Sequence, residues 1–292
     1  MKLDLSDVTI CAVDSITPQL AAIALKKSLD VCHFSKALLL TDVDVRDDAF
    51  ETIKIPRINS IVEYSKFMLK NLVDYIETPY VLIVQWDGYI TDASAWQPEF
   101  KNYDLIGARW EWEPEGKRVG NGGFSLRSKR LLTILKLSQF PFINKSLAED
   151  QHIGIVYRKQ LEDEFNIKFA PEDLADAFSH EMIDPQTKTF GFHALRNMWR
   201  YLSDDEMLTL LDKLHPSNIE TRDFYYLIAK YAELQKLVIL KKLYGFIKST
   251  NNKEEILAKM RFYYSDAQFT TLCFNLCEKI NLMSDMDLLA HQ

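Results

Sequence analysis

Glycine and proline are scarce in this chain of 292 residues, with 9 of each, and there are only 4 cysteines. So little glycine and proline excludes low-complexity and collagen-like architectures, and no fixed-period repeat marks a solenoid. Cys11, Cys32, Cys273 and Cys277 form no CxxC pair, and no histidine is spaced to complete a zinc site with them. Buried thiols in a reducing compartment are therefore expected. Cys273 and Cys277 stand one helical turn apart, which suits core packing and equally a ligand or redox pair. No apolar stretch approaches the ~20 residues of a membrane-spanning helix, which leaves peripheral membrane contact open. The segment from Met1 to Asp7 lacks the basic patch and apolar core of a secretion signal, so a cytoplasmic protein is expected. Basic residues are outnumbered, 35 against 42 acidic ones, and the net charge of −7 disfavours broad capture of nucleic acid or anionic lipid.

What is present is an ordinary globular composition, 47% hydrophobic and 26% charged, long enough for one large domain or two smaller ones. Short apolar runs at residues 8–13 and 37–40 are each followed by an aspartate, Asp14 and Asp42. Between them lies a helical pattern opening on Thr17-Pro18, where a capping threonine precedes a proline whose missing N–H would have had no partner. A weaker strand is expected at 51–55, a helix from 61 to about 76, and then an apolar run at 80–84 that leads into Gln85-Trp86-Asp87-Gly88. Apolar on both faces, this last run reads as a central strand covered by helices. The alternation predicts an open, mainly parallel α/β sheet, with ligands bound beyond the carboxyl ends of its strands, where Asp14, Asp42 and Asp87 fall. After Ala148 a helix through Ile155, Tyr157 and Leu161 and a short strand at 167–169 are expected. From Ser203 the pattern is helical to the end, opening on a Ser203/Glu206 capping box with Leu208, Leu211 and Leu214 as its apolar stripe. The chain thus divides into an α/β domain over 1–202 and a helical domain over 203–292.

Four segments carry residues suited to chemistry. A carboxylate at Asp87, held at the end of a buried strand and followed by glycine, can bind a magnesium or manganese ion bridging two phosphates; the same Asp-Gly also suits a plain turn. Gly120-Asn121-Gly122-Gly123 places three of the 9 glycines within four positions, ahead of a strand and a helix beginning near Lys129. Its peptide N–H groups could hold a sugar or phosphate, or the segment is a hairpin turn; it matches neither a Walker loop nor a dinucleotide fingerprint. Glu149-Asp150 stands at a helix start, where carboxylates favour the dipole and where one could face an acceptor hydroxyl as general base or stabilise positive charge on a sugar ring. His193, in the aromatic loop Phe190-Gly191-Phe192-His193, is the best second metal ligand or else a structural histidine. Trp86, Trp96, Trp110 and Trp112 offer flat faces for a sugar ring, or core packing.

In order and spacing, several segments resemble a family of glycosyltransferase-like proteins common in bacterial surface-polysaccharide loci. They are Thr41-Asp42, Glu63-Tyr64-Ser65, Val84-Gln85-Trp86-Asp87-Gly88, Asp104-Leu105-Ile106-Gly107-Ala108, the Gly120 to Ser128 segment, Glu149-Asp150, Phe169-Ala170-Pro171 and Thr189-Phe190-Gly191-Phe192-His193. More broadly the chain looks like the GT-A fold, in which an Asp-x-Asp motif after a central strand holds the metal; here Gln85 replaces the first aspartate. The resemblance implies a hexosyl- or pentosyltransferase using a nucleotide-sugar, a UDP-sugar being favoured, with Mn²⁺ or Mg²⁺ and a glycan or other hydroxyl acceptor. It implies Asp87 and His193 as metal ligands, and Asp14, Asp42 and Ser65 beside the nucleoside. Gln85 and Trp86 would flank the donor, Gly122 and Gly123 border the sugar, and Asp150 be the catalytic carboxylate with Glu149 in reserve. Two other readings stay open, a sugar-nucleotide or glycan-binding module without chemistry and a glycosyltransferase acting on modified nucleic-acid bases. The residues after 202 have no part in the resemblance.

Overall fold

The computed structural model describes residues 2–219, 221–284 and 287–288. The end of the helical pattern expected up to residue 292 falls partly outside them. The chain divides into two compact units, Met1–Ala194 and Leu195–Gln292.

The first unit is a mixed α/β fold built on a six-stranded sheet. Its strands are β1 (Leu3–Val13), β2 (Cys32–Thr41), β3 (Glu51–Lys54), β4 (Tyr80–Ile83), β5 (Leu105–Gly107) and β6 (Ser125–Ser128), in the order β3-β2-β1-β4-β6-β5. The pairs β1–β2, β2–β3 and β1–β4 are parallel, while β6 runs antiparallel to both β4 and β5. Alternation along the strands feeds two cores, because successive side chains point to opposite faces. Ile10, Ala12, Leu39, Leu82 and Leu126 face one way, against Ala21 and Leu25 of α1 (Pro18–Val31) and a cluster of Phe100, Phe124, Phe178 and Phe190. Cys11, Val13, Leu38, Leu40, Val81 and Ile83 face the other, against Phe67 and Met68 of α2 (Ile61–Lys70). A sheet covered on both sides needs the continuous apolar runs seen in the sequence.

Local differences from the sequence reading have identifiable causes. Thr17 makes no capping bond; instead Asp14 Oδ1 accepts the N–H groups of Ile16 and Thr17 at 2.7 and 2.6 Å, and Thr17 Oγ1 donates to Asp14 Oδ2 at 3.0 Å. Helix α2 ends at Lys70 rather than near residue 76, and a separate tight turn, Leu72–Tyr75, carries the chain onward while still burying Leu72. The helix expected after Ala148 is broken. A short α4 (Glu149–Gln151) passes into a wide π turn, His152–Val156, before α5 (Arg158–Phe165). The strand expected at 167–169 is only a single bridge between Leu105 and Phe169. Helix α3 (Lys129–Leu135) follows β6 directly, capped by Ser128. Beyond α5, α6 (Glu172–Phe178) leads into β7 (Ser179–His180), which pairs in parallel with β8 (Gly191–Phe192).

The second unit is helical, with α7 (Asp204–Leu211), α8 (Arg222–Glu233), α9 (Leu237–Lys248), α10 (Lys253–Tyr263) and α11 (Ala267–Ile280). The Ser203/Glu206 capping box forms; of the expected stripe Leu211 is buried, joined by Met207 and Leu210, while Leu208 and Leu214 are only partly buried. All four cysteines are free and buried. Among the described residues, no helix is long and apolar enough to cross a membrane.

Candidate functional site

The carboxyl edge of the parallel strands gathers most of the candidate residues. Just beyond β4, the N–H of Gly88 donates to the Gln85 carbonyl at 3.0 Å, closing a tight turn that carries Trp86 and Asp87. A Cβ at residue 88 would lie 2.8 Å from the Phe192 carbonyl, so glycine is required for this turn to meet the β8 segment. That approach places Asp87 Oδ1 3.5 Å from Nε2 of His193, with both side chains 14% exposed. Gln85 Oε1 stands 3.2 Å from the same nitrogen, and its Nε2 donates to the hydroxyl of Tyr64 at 2.9 Å. Asp14, at the end of β1, is close enough for the Asp87 charge to act on it. Burial pushes the Asp14 carboxyl up, against the pull of the N–H bonds from its own cap, and Asp87 adds to the rise.

His193 is fixed from every side. Its backbone N–H donates to the His180 carbonyl at 2.9 Å as the β7–β8 pairing continues. Its Nδ1 faces Glu181 Oε1 at 3.0 Å and Asn121 Nδ2 at 3.2 Å. The backbone of Gly123 lies flat on the ring, and a Cβ there would run into the imidazole. Burial pulls the His193 imidazole down, but the Asp87 and Glu181 carboxylates outweigh it and hold its proton affinity well above the usual range.

The glycine turn also binds the second carboxylate group. Gly122 N–H donates to Asp150 Oδ2 at 3.0 Å, and Gln151 N–H donates to Asp150 Oδ1 at 2.8 Å. Arg127 of β6 is completely buried; its Nη2 donates to Glu149 Oε1 at 2.9 Å and to the Gly122 carbonyl at 3.2 Å. A Cβ on residue 122 would sit 2.5 Å from Glu149 Oε1 and 2.7 Å from Arg127 Nη2, so a side chain there would displace this ion pair. The two acids therefore differ in environment. Glu149 is 3% exposed and ion-paired, whereas Asp150 is half-buried and keeps an accessible edge. Burial, reinforced by the Glu149 charge and opposed by Arg127, pushes the Asp150 carboxyl up to about 7.

The remaining candidates are less connected. Asp42 Oδ2 pairs with Arg57 at 3.5 Å. Trp96 packs against Phe100 and Phe190, Trp86 is partly buried against the same apolar core, Trp110 is buried, and Trp112 is stacked on Trp110 but more than half exposed. Among the described residues, buried side-chain oxygens of Thr41, Asp42, Ser65 and Asp87 have no hydrogen-bond partner. Buried polar atoms left this way cost free energy unless something else satisfies them, which is the pattern of a surface prepared for a ligand. Sequence reading gave no role to Arg127, Glu181, Asn121 or Tyr64. Arg127 carried a signal, as a lone charge within an otherwise buried strand; Glu181 carried none, since only the β7–β8 pairing brings it to His193.

A divalent ion suits these donors in kind. If Nδ1–H is given to Glu181, a neutral imidazole turns its Nε2 lone pair toward two further oxygens, Asp87 Oδ1 and Gln85 Oε1. A shared cation would satisfy that cluster in place of the proton on Nε2. No group of three or more His, Cys, Asp or Glu side chains among the described residues could hold a metal alone. Magnesium-type ions commonly take one or two protein ligands and complete their shell with substrate phosphates and water.

Fold and edge together define an α/β protein whose carboxylate and imidazole groups converge beyond the ends of a mainly parallel sheet. The chain belongs to the family described as Protein of unknown function (DUF5672), which matches residues 48–193, half of its length, and so takes in Gln85, Asp87, Asp150, Glu181 and His193. No curated protein matches it. Among solved structures it is similar to the apo-form glycosyltransferase GlyE of Streptococcus pneumoniae, at 14% identity and a TM-score of 0.39 over 71% of this chain; it spans 56% of that protein. It is also similar to the galactosyltransferase LgtC in complex with donor and acceptor sugar analogues, at 11% identity and a TM-score of 0.34, covering 64% of this chain and 87% of that one. A third similar structure is the mannosyltransferase PcManGT of Pyrobaculum calidifontis with GDP-Man and Mn²⁺, at 8% identity and a TM-score of 0.40, covering 96% and 88%. Likenesses this distant carry no functional information for the chain.

Proposed function

We propose that this protein is a GT-A-like glycosyltransferase that moves a sugar from a nucleotide-sugar to an acceptor hydroxyl, with a divalent cation at Asp87 and His193 and with Asp150 as the catalytic carboxylate. The observation that carries this reading is the Gly122-Gly123 turn, which ties the two halves of such a site together. One glycine binds Asp150 through its N–H, and the next lies against the His193 ring. A phosphate-bearing donor seated by Asp87 and His193 would thus have its sugar beside the turn and within reach of Asp150.

The division of labour follows from the environments. A bound cation would neutralise the charge that builds on the departing nucleoside diphosphate. Asp87 and His193 would hold it, while Asp14 and the orphaned oxygens of Asp42 and Ser65 would suit the nucleoside end of the donor. Asp150 takes the proton of the acceptor hydroxyl as that oxygen bonds to the anomeric carbon. The bond from that carbon to the diphosphate oxygen breaks, and the nucleoside diphosphate leaves with the electron pair. A carboxyl held near neutrality can accept a proton at the working pH, whereas Glu149, pinned to Arg127, serves as the fixed negative neighbour that keeps Asp150 basic.

The test is a thermal-stabilisation screen of the whole chain against UDP-, GDP-, CMP- and TDP-sugars, with and without Mn²⁺, followed by assay of donor hydrolysis. One donor should raise the melting temperature by several degrees, as binding at about 100 times its Kd contributes roughly 2.7 kcal/mol. The rise should need Mn²⁺, with a UDP-sugar the favoured donor. Stabilisation without turnover would identify a binding module instead. A response to duplex DNA beside the response to a nucleotide-sugar would favour transfer to modified nucleic-acid bases, which the net charge of −7 opposes.

A further inference from the structure

We propose that Glu181 is a positioning residue that sets the tautomer of His193 and thereby makes its Nε2 available to a divalent cation. The inference rests on the assignment of His193 as a metal ligand and adds a residue that acts only through it.

The geometry around Nδ1 poses a choice. Asn121 Oδ1 accepts the Gly123 N–H at 3.2 Å, which turns its Nδ2, a donor, toward His193 Nδ1 at 3.2 Å. Bonding to Asn121 alone would make Nδ1 the acceptor and leave the ring hydrogen on Nε2, the nitrogen that faces Asp87 and Gln85. Glu181 Oε1 competes for the same atom at 3.0 Å and can only accept when ionised. A charged acceptor at the shorter distance wins over a neutral amide donor. The hydrogen on Nδ1 is then held by Glu181, and the one on Nε2, facing Asp87 Oδ1 3.5 Å away, is the one a cation would displace. A carboxylate behind a ligating imidazole fixes tautomer and orientation in this way and raises the basicity of the ring.

The placement of Glu181 belongs to the fold. Its side chain is 14% exposed, like that of His193. The two residues follow the paired strands β7 and β8, with the His193 N–H donating to the His180 carbonyl, so they extend side by side. Gly88 and Gly123 pack closely against the ring, where a side chain at either position would crowd it.

Binding of Mn²⁺ alone to the full chain, followed by the electron paramagnetic resonance of the free ion, tests this without reference to turnover. The wild type should bind one ion, and Asp87→Ala should lose it. Glu181→Ala should weaken Mn²⁺ binding about 10- to 100-fold, with Glu181→Gln between the two because its amide oxygen can still accept from Nδ1. The melting temperatures of both Glu181 variants without metal should stay within a few degrees of the wild type. Wild-type affinity in a folded Glu181→Ala, alongside loss in Asp87→Ala, would overturn the role of Glu181 while leaving the metal site intact. Failure of the wild type itself to bind Mn²⁺, or binding indifferent to Asp87→Ala, would overturn both. A fall in melting temperature with unchanged Mn²⁺ affinity would show that Glu181 is structural only.

Discussion

Asp87→Ala is expected to lower Mn²⁺-supported turnover of the nucleotide-sugar by about three orders of magnitude, because a cation on a departing diphosphate contributes several kcal/mol to the transition state and about 4 kcal/mol is a factor of 10³. Stability should change little, or improve. Asp87 Oδ1 is buried without a hydrogen bond, so its removal relieves a desolvated carboxylate oxygen even as it breaks the 3.5 Å pairing with His193. His193 keeps Glu181 on its other side, and the turn keeps the bond from Gly88 N–H to the Gln85 carbonyl. The measurement is steady-state turnover with Mn²⁺ varied, beside a melting curve. Loss of turnover in a folded variant supports the assignment, and undiminished turnover removes it.

Asp150→Asn should have the second largest effect, a loss of about 10²- to 10⁴-fold in transfer, the range for a positioned general base. The pH dependence gives a separate signature. Wild-type transfer should rise with pH and level off above about 7, where the Asp150 carboxyl is ionised, and the residual activity of the variant should lack that rise. Stability runs the opposite way. A carboxyl whose proton affinity is raised by folding stabilises the folded state below the unfolded pKa of about 3.9, and that contribution is lost as pH climbs toward 7. Asp150→Asn should therefore melt above the wild type at pH 8, by a margin that shrinks at pH 5. Such a gain in stability with loss of rate is expected where a carboxylate is kept in an environment that disfavours its charge.

The sheet was readable because its strands are buried on both faces, so the runs around Ile10, Leu39 and Leu82 stand out without any partner being known. The antiparallel placement of β6 between β4 and β5 was not readable, since four-residue strands carry no direction in their pattern. The π turn after α4 escaped for a similar reason: the apolar residues Ile155, Tyr157 and Leu161 read as one helix, whereas the backbone breaks there and leaves Ile155 exposed. Among site residues, Asp87, Asp150 and His193 each carried a local mark, an acid after a strand, an acid at a helix start and a histidine among aromatics. What sequence could not supply was the partner of each. Arg127 distinguishes Glu149 from Asp150 from 22 positions away, and Glu181 reaches His193 only through two short paired strands. The Gln85 substitution likewise gains a local reason only in three dimensions, because an amide can donate to Tyr64 and offer its oxygen toward His193, which a carboxylate cannot do.

A shared cation between Asp87 and His193 is tested most directly by anomalous diffraction from crystals grown with Mn²⁺ and the stabilising nucleoside diphosphate. A manganese peak bonded to Asp87 and to Nε2 of His193, with diphosphate oxygens completing its shell, is the expected result. A nucleotide bound with no manganese at that position, or manganese held elsewhere by other side chains, would contradict it.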